Sequence, residues 1–331
     1  MGVIEPLLRV RDLRVVFPTA AGEVRALDGV SFDLLRGRAL GVVGESGCGK
    51  STLACAIPRL LSAPGTIAGG GIELGGEDVL AASPTALRRL RGGRVGMVFQ
   101  DAAVALDPAF TVGSQLRETL RLYGFSRAQA RTRAAELLAL AGVDAPARRL
   151  RQYPHELSGG QKQRVMIALA LCGEPELLIA DEPTSALDVT IQAQILGLLR
   201  DLRARRHMAM LLVTHDLGVA AELCDEILVL YAGRVCERGG VEDIFYHPAH
   251  EYTRALLGCL PSLEGGRGHL AAIPGAPSRP GAQIKGCPFA PRCARAMPVC
   301  RAQQPEEIEI SAGHLAACWR NVPGQGDGGR P

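Results

Sequence analysis

The sequence predicts an α/β fold in which short buried parallel strands feed ligand-binding turns, and three stretches carry that prediction. The apolar run Leu40-Gly41-Val42-Val43 leads into Gly44-Glu45-Ser46-Gly47-Cys48-Gly49-Lys50-Ser51, which fills every fixed position of G-x-x-x-x-G-K-[ST]. A second run, Leu177-Leu178-Ile179-Ala180, ends in the carboxylate pair Asp181-Glu182. Between them Leu157-Ser158-Gly159-Gly160-Gln161 forms a Gly-rich turn ahead of the apolar-periodic stretch Val165 to Leu171.

The first stretch reads as strand, turn, helix. Gly44, Gly47 and Gly49 permit backbone conformations that aim successive N–H groups at one point, and a helix starting near Lys50 adds the positive end of its dipole. Such a cradle suits the phosphates of a nucleotide. Lys50 is placed to reach the β- and γ-phosphates and the Ser51 hydroxyl to ligate Mg²⁺. Cys48 occupies an unconstrained position and reads as a small filler, not a nucleophile.

The second run suits a fully buried parallel strand, whose carboxyl end is where open α/β sheets place ligands. Asp181 and Glu182 are expected there, pointing to opposite faces of the strand. On that reading Asp181 joins the Mg²⁺ shell and Glu182 polarises the attacking water.

With these three elements in this order, residues 7 to about 245 resemble the nucleotide-binding subunit of an ATP-binding cassette (ABC) transporter, the signature turn separating it from other P-loop ATPases. The resemblance implies a P-loop NTPase cassette: a RecA-like α/β core, an antiparallel β subdomain and a helical subdomain. It implies that Gly44, Ser46, Gly47, Cys48, Gly49, Lys50, Ser51 and Thr52 surround the nucleotide, with Ser51, Gln100 and Asp181 about the Mg²⁺. Further implied roles fall on Gln100 as the Q-loop residue, Asp188 of Ser185-Ala186-Leu187-Asp188 as the D-loop, and His215 as the switch histidine on the γ-phosphate. Lys50, Gln100, Glu182 and His215 are thus the catalytic set. Ser158, Gly160 and Gln161 are implied to cap the γ-phosphate held by a second cassette. Phe17 sits where the family places an aromatic on adenine, although an aromatic at a strand end is commonly core.

Composition agrees. At 331 residues with 47% hydrophobic content the chain has ample material for a packed core, and a net charge of +3 argues against a nucleic-acid surface. No run of about 18 apolar residues occurs, and the first residues, Met1-Gly2-Val3-Ile4-Glu5-Pro6, lack a charged-then-apolar export pattern. The expectation is a peripheral protein on the cytoplasmic face of the cell membrane, with other polypeptides supplying the pathway.

Two domains are expected, 1–245 for nucleotide binding and 246–331 as a small cysteine-rich C-terminal domain. Within the first, about 100–165 is an Ala-, Leu- and Arg-rich helical insertion, whose segment Arg127 to Ala141 repeats apolar residues at helical intervals and stops at Gly142. The tail is dense in Gly and Pro, with Ile273-Pro274-Gly275-Ala276-Pro277 reading as an extended connector. Cys287, Cys293, Cys300 and Cys318 follow at spacing C-x₅-C-x₆-C-x₁₇-C, which is not the C-x₂-C pair of common zinc modules. The arrangement is similar to the C-terminal region of dipeptide/oligopeptide permease ATPases, where four cysteines are implied to ligate a [4Fe–4S] cluster. Zinc and free thiols are the alternatives. The other six cysteines read as small buried hydrophobes.

Tyr153-Pro154-His155-Glu156 and His247-Pro248-Ala249-His250-Glu251-Tyr252-Thr253 also resemble that branch, the histidines reading as a helix start, not a metal pair. The implied partners are a second cassette, identical or related, two transmembrane permease subunits and, indirectly, an extracytoplasmic substrate-binding protein. The expected activity is ATP hydrolysis that powers peptide import through cassette dimerisation. A nickel or other small-solute importer is the alternative, and a soluble ABC ATPase a more distant one.

Overall fold

Runs of Val, Leu and Ile bounded by Gly or charged residues become the strands of the structure, a computed structural model describing residues 5–20, 22–185, 187–260, 272–276 and 284–324. Met1 to Ile4, Ala186 of the expected D-loop stretch and Pro277 of the expected connector lie outside the described residues. The strands are β1 (Leu8–Thr19), β2 (Gly22–Leu34), β3 (Ala39–Val43), β4 (Thr66–Leu74), β5 (Glu77–Asp78), β6 (Val95–Val98), β7 (Leu177–Asp181), β8 (Ala209–Thr214), β9 (Glu226–Tyr231), β10 (Arg234–Gly240), β11 (Ile308–Ser311) and β12 (His314–Ala316).

The larger sheet runs β11-β12-β10-β9-β3-β8-β7-β6. From β9 to β6 its strands are parallel. Every residue of β3, β7 and β8 is buried, as in strands covered on both faces. Each fully buried Val or Leu side chain there contributes about 1.5–3 kcal/mol. The helix Lys50–Ala56 packs on β7 and β8, and Leu217–Leu223 packs on β3 and β8.

The second sheet, β2-β1-β4-β5, is antiparallel. Its inward residues Leu13, Val15, Val30 and Ile72 share one core with Leu40, Val42, Leu53 and Leu211 of the α/β layer.

Between β6 and β7 the chain is helical: Ala102–Ala105, Val112–Leu122, Arg127–Leu140, Pro146–Arg149 and Gly159–Ala170. Ser126 starts the third of these through a capping box. Its hydroxyl accepts the Gln129 N–H at 3.3 Å while its own N–H donates to Gln129 Oε1 at 2.9 Å. Ala130, Ala134, Leu137 and Leu138 form the buried face.

The Gly- and Pro-rich C-terminal region adds two strands to the larger sheet. β12 pairs antiparallel with β10 (Glu237↔Ala316, Arg238↔Leu315), and β11 pairs with β12. The anchor is Glu237, fully buried, whose carboxylate accepts the Ala249 N–H at 2.6 Å and the His250 N–H at 2.9 Å and lies 2.8 Å from His314 Nε2. Three partners answer a charge that would be costly alone.

Candidate active site

Register alone gathers the site. Val43 of β3 stands beside Thr214 of β8, Val213 beside Asp181 of β7, and Ala180 beside Val98 of β6. The residues that follow those strands, Gly44, His215, Glu182 and Gln100, therefore leave the sheet at one row of carboxyl ends.

After β3 the backbone turns through Gly44 at φ 152 and Gly49 at φ 108. A Cβ on Gly44 would run into the Leu230 carbonyl, and one on Gly49 would lie 2.5 Å from the Ala26 carbonyl, so both positions admit only glycine. Lys50 Nζ donates to the carbonyls of Gly44 at 2.8 Å and Glu45 at 2.9 Å. Ser51 Oγ donates to Asp181 Oδ1 at 3.1 Å, which pairs the two oxygens a hard cation would take. Burial is the main influence on Asp181 and raises its pKa; the Ser51 hydrogen bond opposes it, the Glu182 charge adds to it and Lys50 opposes it.

Glu182 requires a correction. It is not the last residue of the strand but the first beyond it, at φ 44, so strand alternation is not what parts the two carboxylates. A left-handed turn does so, steadied by the Glu182 N–H donating to the Val213 carbonyl at 2.8 Å. The turn brings Glu182 Oε1 to 3.1 Å from His215 Nδ1 and Oε2 to 3.4 Å from Gln100 Nε2. Ser185 Oγ ties the carbonyls of Gln100 (3.2 Å) and Glu182 (3.0 Å).

Ser46, Gly47, Gly49, Lys50, Ser51, Thr52, Gln100 and Glu182 line one open cleft of about 660 Å³. Cys48 lies beneath it, buried, with a thiol pKa raised by that burial, as befits a filler. Phe17 is not brought to the cleft. Its ring packs toward Gly65 and the core of the antiparallel sheet, while its cross-strand neighbour Val24 lines the cleft instead.

The signature residues stand away from this cleft within one chain. Ser158 caps the helix Gly159–Ala170, exchanging hydrogen bonds with Gln161 at 3.3 and 3.1 Å. Gly160 lies against Ile191, and Asp188 caps Val189–Arg206 through the Ile191 N–H at 2.9 Å. Both helix starts are exposed on that surface.

Several residues at the cleft escaped the sequence reading. Arg25, Arg234 and Lys285 line it, and Glu45 is bound by Tyr252 and Arg292. No local pattern marks them, because they come from strands and a tail far from the phosphate loop in sequence.

Cys287, Cys293, Cys300 and Cys318 line one small apolar cavity with Phe289 and Ala290. Backbone N–H groups face each sulfur: Phe289 toward Cys287, Arg295 toward Cys293, Met297 toward Cys300 at 3.4 Å and Arg320 toward Cys318. Burial raises the Cys287 thiol to about 11. Among the described residues no three His, Cys, Asp or Glu side chains are grouped to hold a single metal ion. The four cysteines thus share a cavity, but among the described residues nothing supports the cluster or the zinc expected at them.

The family of ABC transporters matches residues 27–185, and that of the oligopeptide/dipeptide transporter C-terminal region matches 236–300. A probable peptide ABC transporter ATP-binding protein of Sinorhizobium fredii is 49% identical over 95% of both chains. The oligopeptide transport ATP-binding protein OppD of Salmonella typhimurium is 45% identical over 96% of this chain and 94% of its own. The dipeptide transport ATP-binding protein DppD of Bacillus subtilis is 44% identical over 96% and 95%. Among solved structures, the ATP-binding cassette MJ0796, a dimer in a post-hydrolysis state with ADP and Pi, superposes with a TM-score of 0.64 at 28% identity, over 71% of this chain and 98% of that one. Identity of this extent, running through both matched regions, means that the chain belongs to the ABC transporter ATP-binding proteins of the oligopeptide/dipeptide transporter type.

Proposed function

We propose that this chain hydrolyses ATP to power the import of di- and oligopeptides, working at the cytoplasmic face of a membrane with a second cassette, two permease subunits and an extracytoplasmic binding protein. The observation that carries the reading is Glu182, held between Gln100 and His215 beside the Ser51–Asp181 pair and the phosphate loop. The naming of the relatives as peptide transport proteins supplies the cargo class. Among the described residues no helix is long and apolar enough to cross a membrane.

In this reading the loop N–H groups and Lys50 bind the β- and γ-phosphates, and Ser51 and Asp181 hold the Mg²⁺, which neutralises phosphate charge when bound. Glu182 orients and deprotonates the attacking water, and His215 and Gln100 fix its carboxylate. Val24, which lines the cleft, supplies the apolar contact toward the adenine. Ser158, Gly160 and Gln161, remote from their own chain's cleft, cap the γ-phosphate in the partner, with Asp188 at the interface. ATP thus joins two cassettes, and hydrolysis releases them.

Residues 246–331 form a C-terminal unit added to the 1–245 nucleotide-binding domain, and its four cysteines hold a [4Fe–4S] cluster. Four cysteines around one small cavity, each sulfur faced by a backbone N–H, would supply the soft thiolate ligands that such a cluster takes.

The deciding experiment measures ATP hydrolysis in liposomes carrying the permease subunits, with the binding protein loaded with short peptides or with Ni²⁺ chelates. Stimulation by peptides supports the reading. Stimulation by nickel alone moves the cargo to a metal, and no response to either removes the transport role.

A further inference from the structure

Glu45, second residue of the phosphate loop, is gripped by groups outside that loop. Arg292 donates to it as a two-pronged ion pair, Nη1 to Oε2 at 2.5 Å and Nη2 to Oε1 at 3.0 Å. The Glu45 N–H donates to the Tyr252 hydroxyl at 2.8 Å, and the Glu45 carbonyl accepts Lys50 Nζ at 2.9 Å. An unbroken chain of polar contacts thus runs from the C-terminal region to the lysine of the cradle.

The Arg292 end of that chain is built. Its side chain is 4% exposed. The guanidinium lies 5.9 Å from the ring centre of Tyr231 and 6.0 Å from that of Phe289, and it donates to the carbonyls of Pro274 at 3.0 Å and Ile273 at 3.3 Å. Tyr231, Tyr252 and Phe289 pack on one another with ring centres 4.6, 5.4 and 5.3 Å apart, which fixes the plane of the fork. A lysine could not reproduce two parallel bonds and two ring contacts from one head group.

The chemistry gives this arrangement a purpose. A bare carboxylate within a loop that receives a polyanion opposes binding. A planar cation on both its oxygens cancels the charge and stops the side chain from swinging toward the phosphates. We propose that Arg292 is a positioning residue of the nucleotide site, neutralising and orienting Glu45 and, through the Glu45 carbonyl, setting where the Lys50 ammonium waits for phosphate. The C-terminal region is then a structural part of the ATP site, and Lys285 of the same region lines the cleft directly. This inference rests on the reading of the cleft as the ATP site.

The test uses the full chain and compares wild type with R292K, R292M, E45Q and R292M/E45Q. It measures equilibrium binding of a fluorescent ATP analogue, steady-state hydrolysis and thermal melting. R292K and R292M are expected to weaken nucleotide binding about tenfold, as a rise in KM with kcat changed by less than about threefold. R292M/E45Q, which removes the bare charge, should recover most of that affinity. E45Q alone keeps the cation and loses the anion, so it should bind at least as tightly as wild type; it serves also if the Arg292 variants do not fold. Three results would each overturn the proposal: affinity unchanged within about twofold with only the melting temperature lowered, no recovery in the double variant, or weakened binding by E45Q. If wild type itself bound no nucleotide, the ATP-site reading would fall instead.

Discussion

Glu182 Oε1 lies 3.1 Å from His215 Nδ1, a contact that joins the ends of β7 and β8, parallel neighbours in register, through the left-handed turn at Glu182. With Gln100 on its other oxygen, the carboxylate has a fixed direction and stays one-sixth exposed, open to a water. Glu182→Gln keeps the size but removes the proton acceptor. Single-turnover hydrolysis is expected to fall about 10²- to 10⁴-fold with ATP binding retained. Unimpaired hydrolysis would show that the proton goes elsewhere.

The Ser51–Asp181 bond makes a separate prediction about Mg²⁺. Asp181→Asn preserves the hydrogen bond from Ser51 but loses the formal charge. The Mg²⁺ concentration for half-maximal hydrolysis should rise about tenfold, while ATP affinity in the presence of a chelator stays near that of wild type. Equal loss of affinity with and without Mg²⁺ would place Asp181 among the structural residues of the strand.

Ser158 lies away from its own chain's cleft, so the role proposed for it on the γ-phosphate requires a second cassette. Ser158→Ala should leave ATP binding by the isolated chain unchanged and abolish the ATP-dependent dimer seen by gel filtration on a Glu182→Gln background. Loss of the cap alone costs about 1 kcal/mol. Ser158→Thr, which keeps a capping hydroxyl, separates helix fraying from loss of the contact in trans.

What the sequence disclosed follows from chain locality. Gly44 to Ser51 and Leu177 to Glu182 are each strand-to-turn units whose chemistry is written in consecutive residues, and the helix stop at Gly142 is equally local. Three features were out of reach for the opposite reason. Arg292 meets Glu45 across 247 positions, and β12 pairs with β10, a strand far from it in the chain. Phe17 faces Gly65, not the cleft, because the facing of a residue near a strand end depends on the neighbouring strand and loop.

His250 links pH to stability. It is fully buried, caps the helix Glu251–Gly258 by accepting the Tyr252 N–H on Nδ1 at 3.0 Å, and burial lowers its pKa to about 4 from 6.5. A base whose folded pKa is depressed binds its proton more readily when unfolded. Its burial therefore reduces stability as pH falls below about 6.5, and the loss is complete near pH 4, worth about 3 kcal/mol. Chemical denaturation of wild type and His250→Asn, which keeps an acceptor at the cap, should show the variant losing that much less between pH 7 and pH 4. Parallel curves would mean that His250 is not the group titrating.

The cysteine cavity makes the last prediction. Buried thiols with raised pKa hold their protons tightly, so a metal must displace them, and N–H groups aimed at the sulfurs favour the thiolate form it needs. Protein purified without oxygen should be brown, with about four irons per chain. Cys293→Ala should bleach it, and because Cys293 directly follows Arg292 the same substitution should also weaken ATP binding. The pairing of the two readouts matters, since bleaching with unchanged affinity would confine the cluster to holding the C-terminal loops together. A colourless sample with stoichiometric zinc would replace the cluster by zinc at these cysteines, and a sample with neither metal would leave four thiols whose function is the packing seen around Phe289 and Ala290.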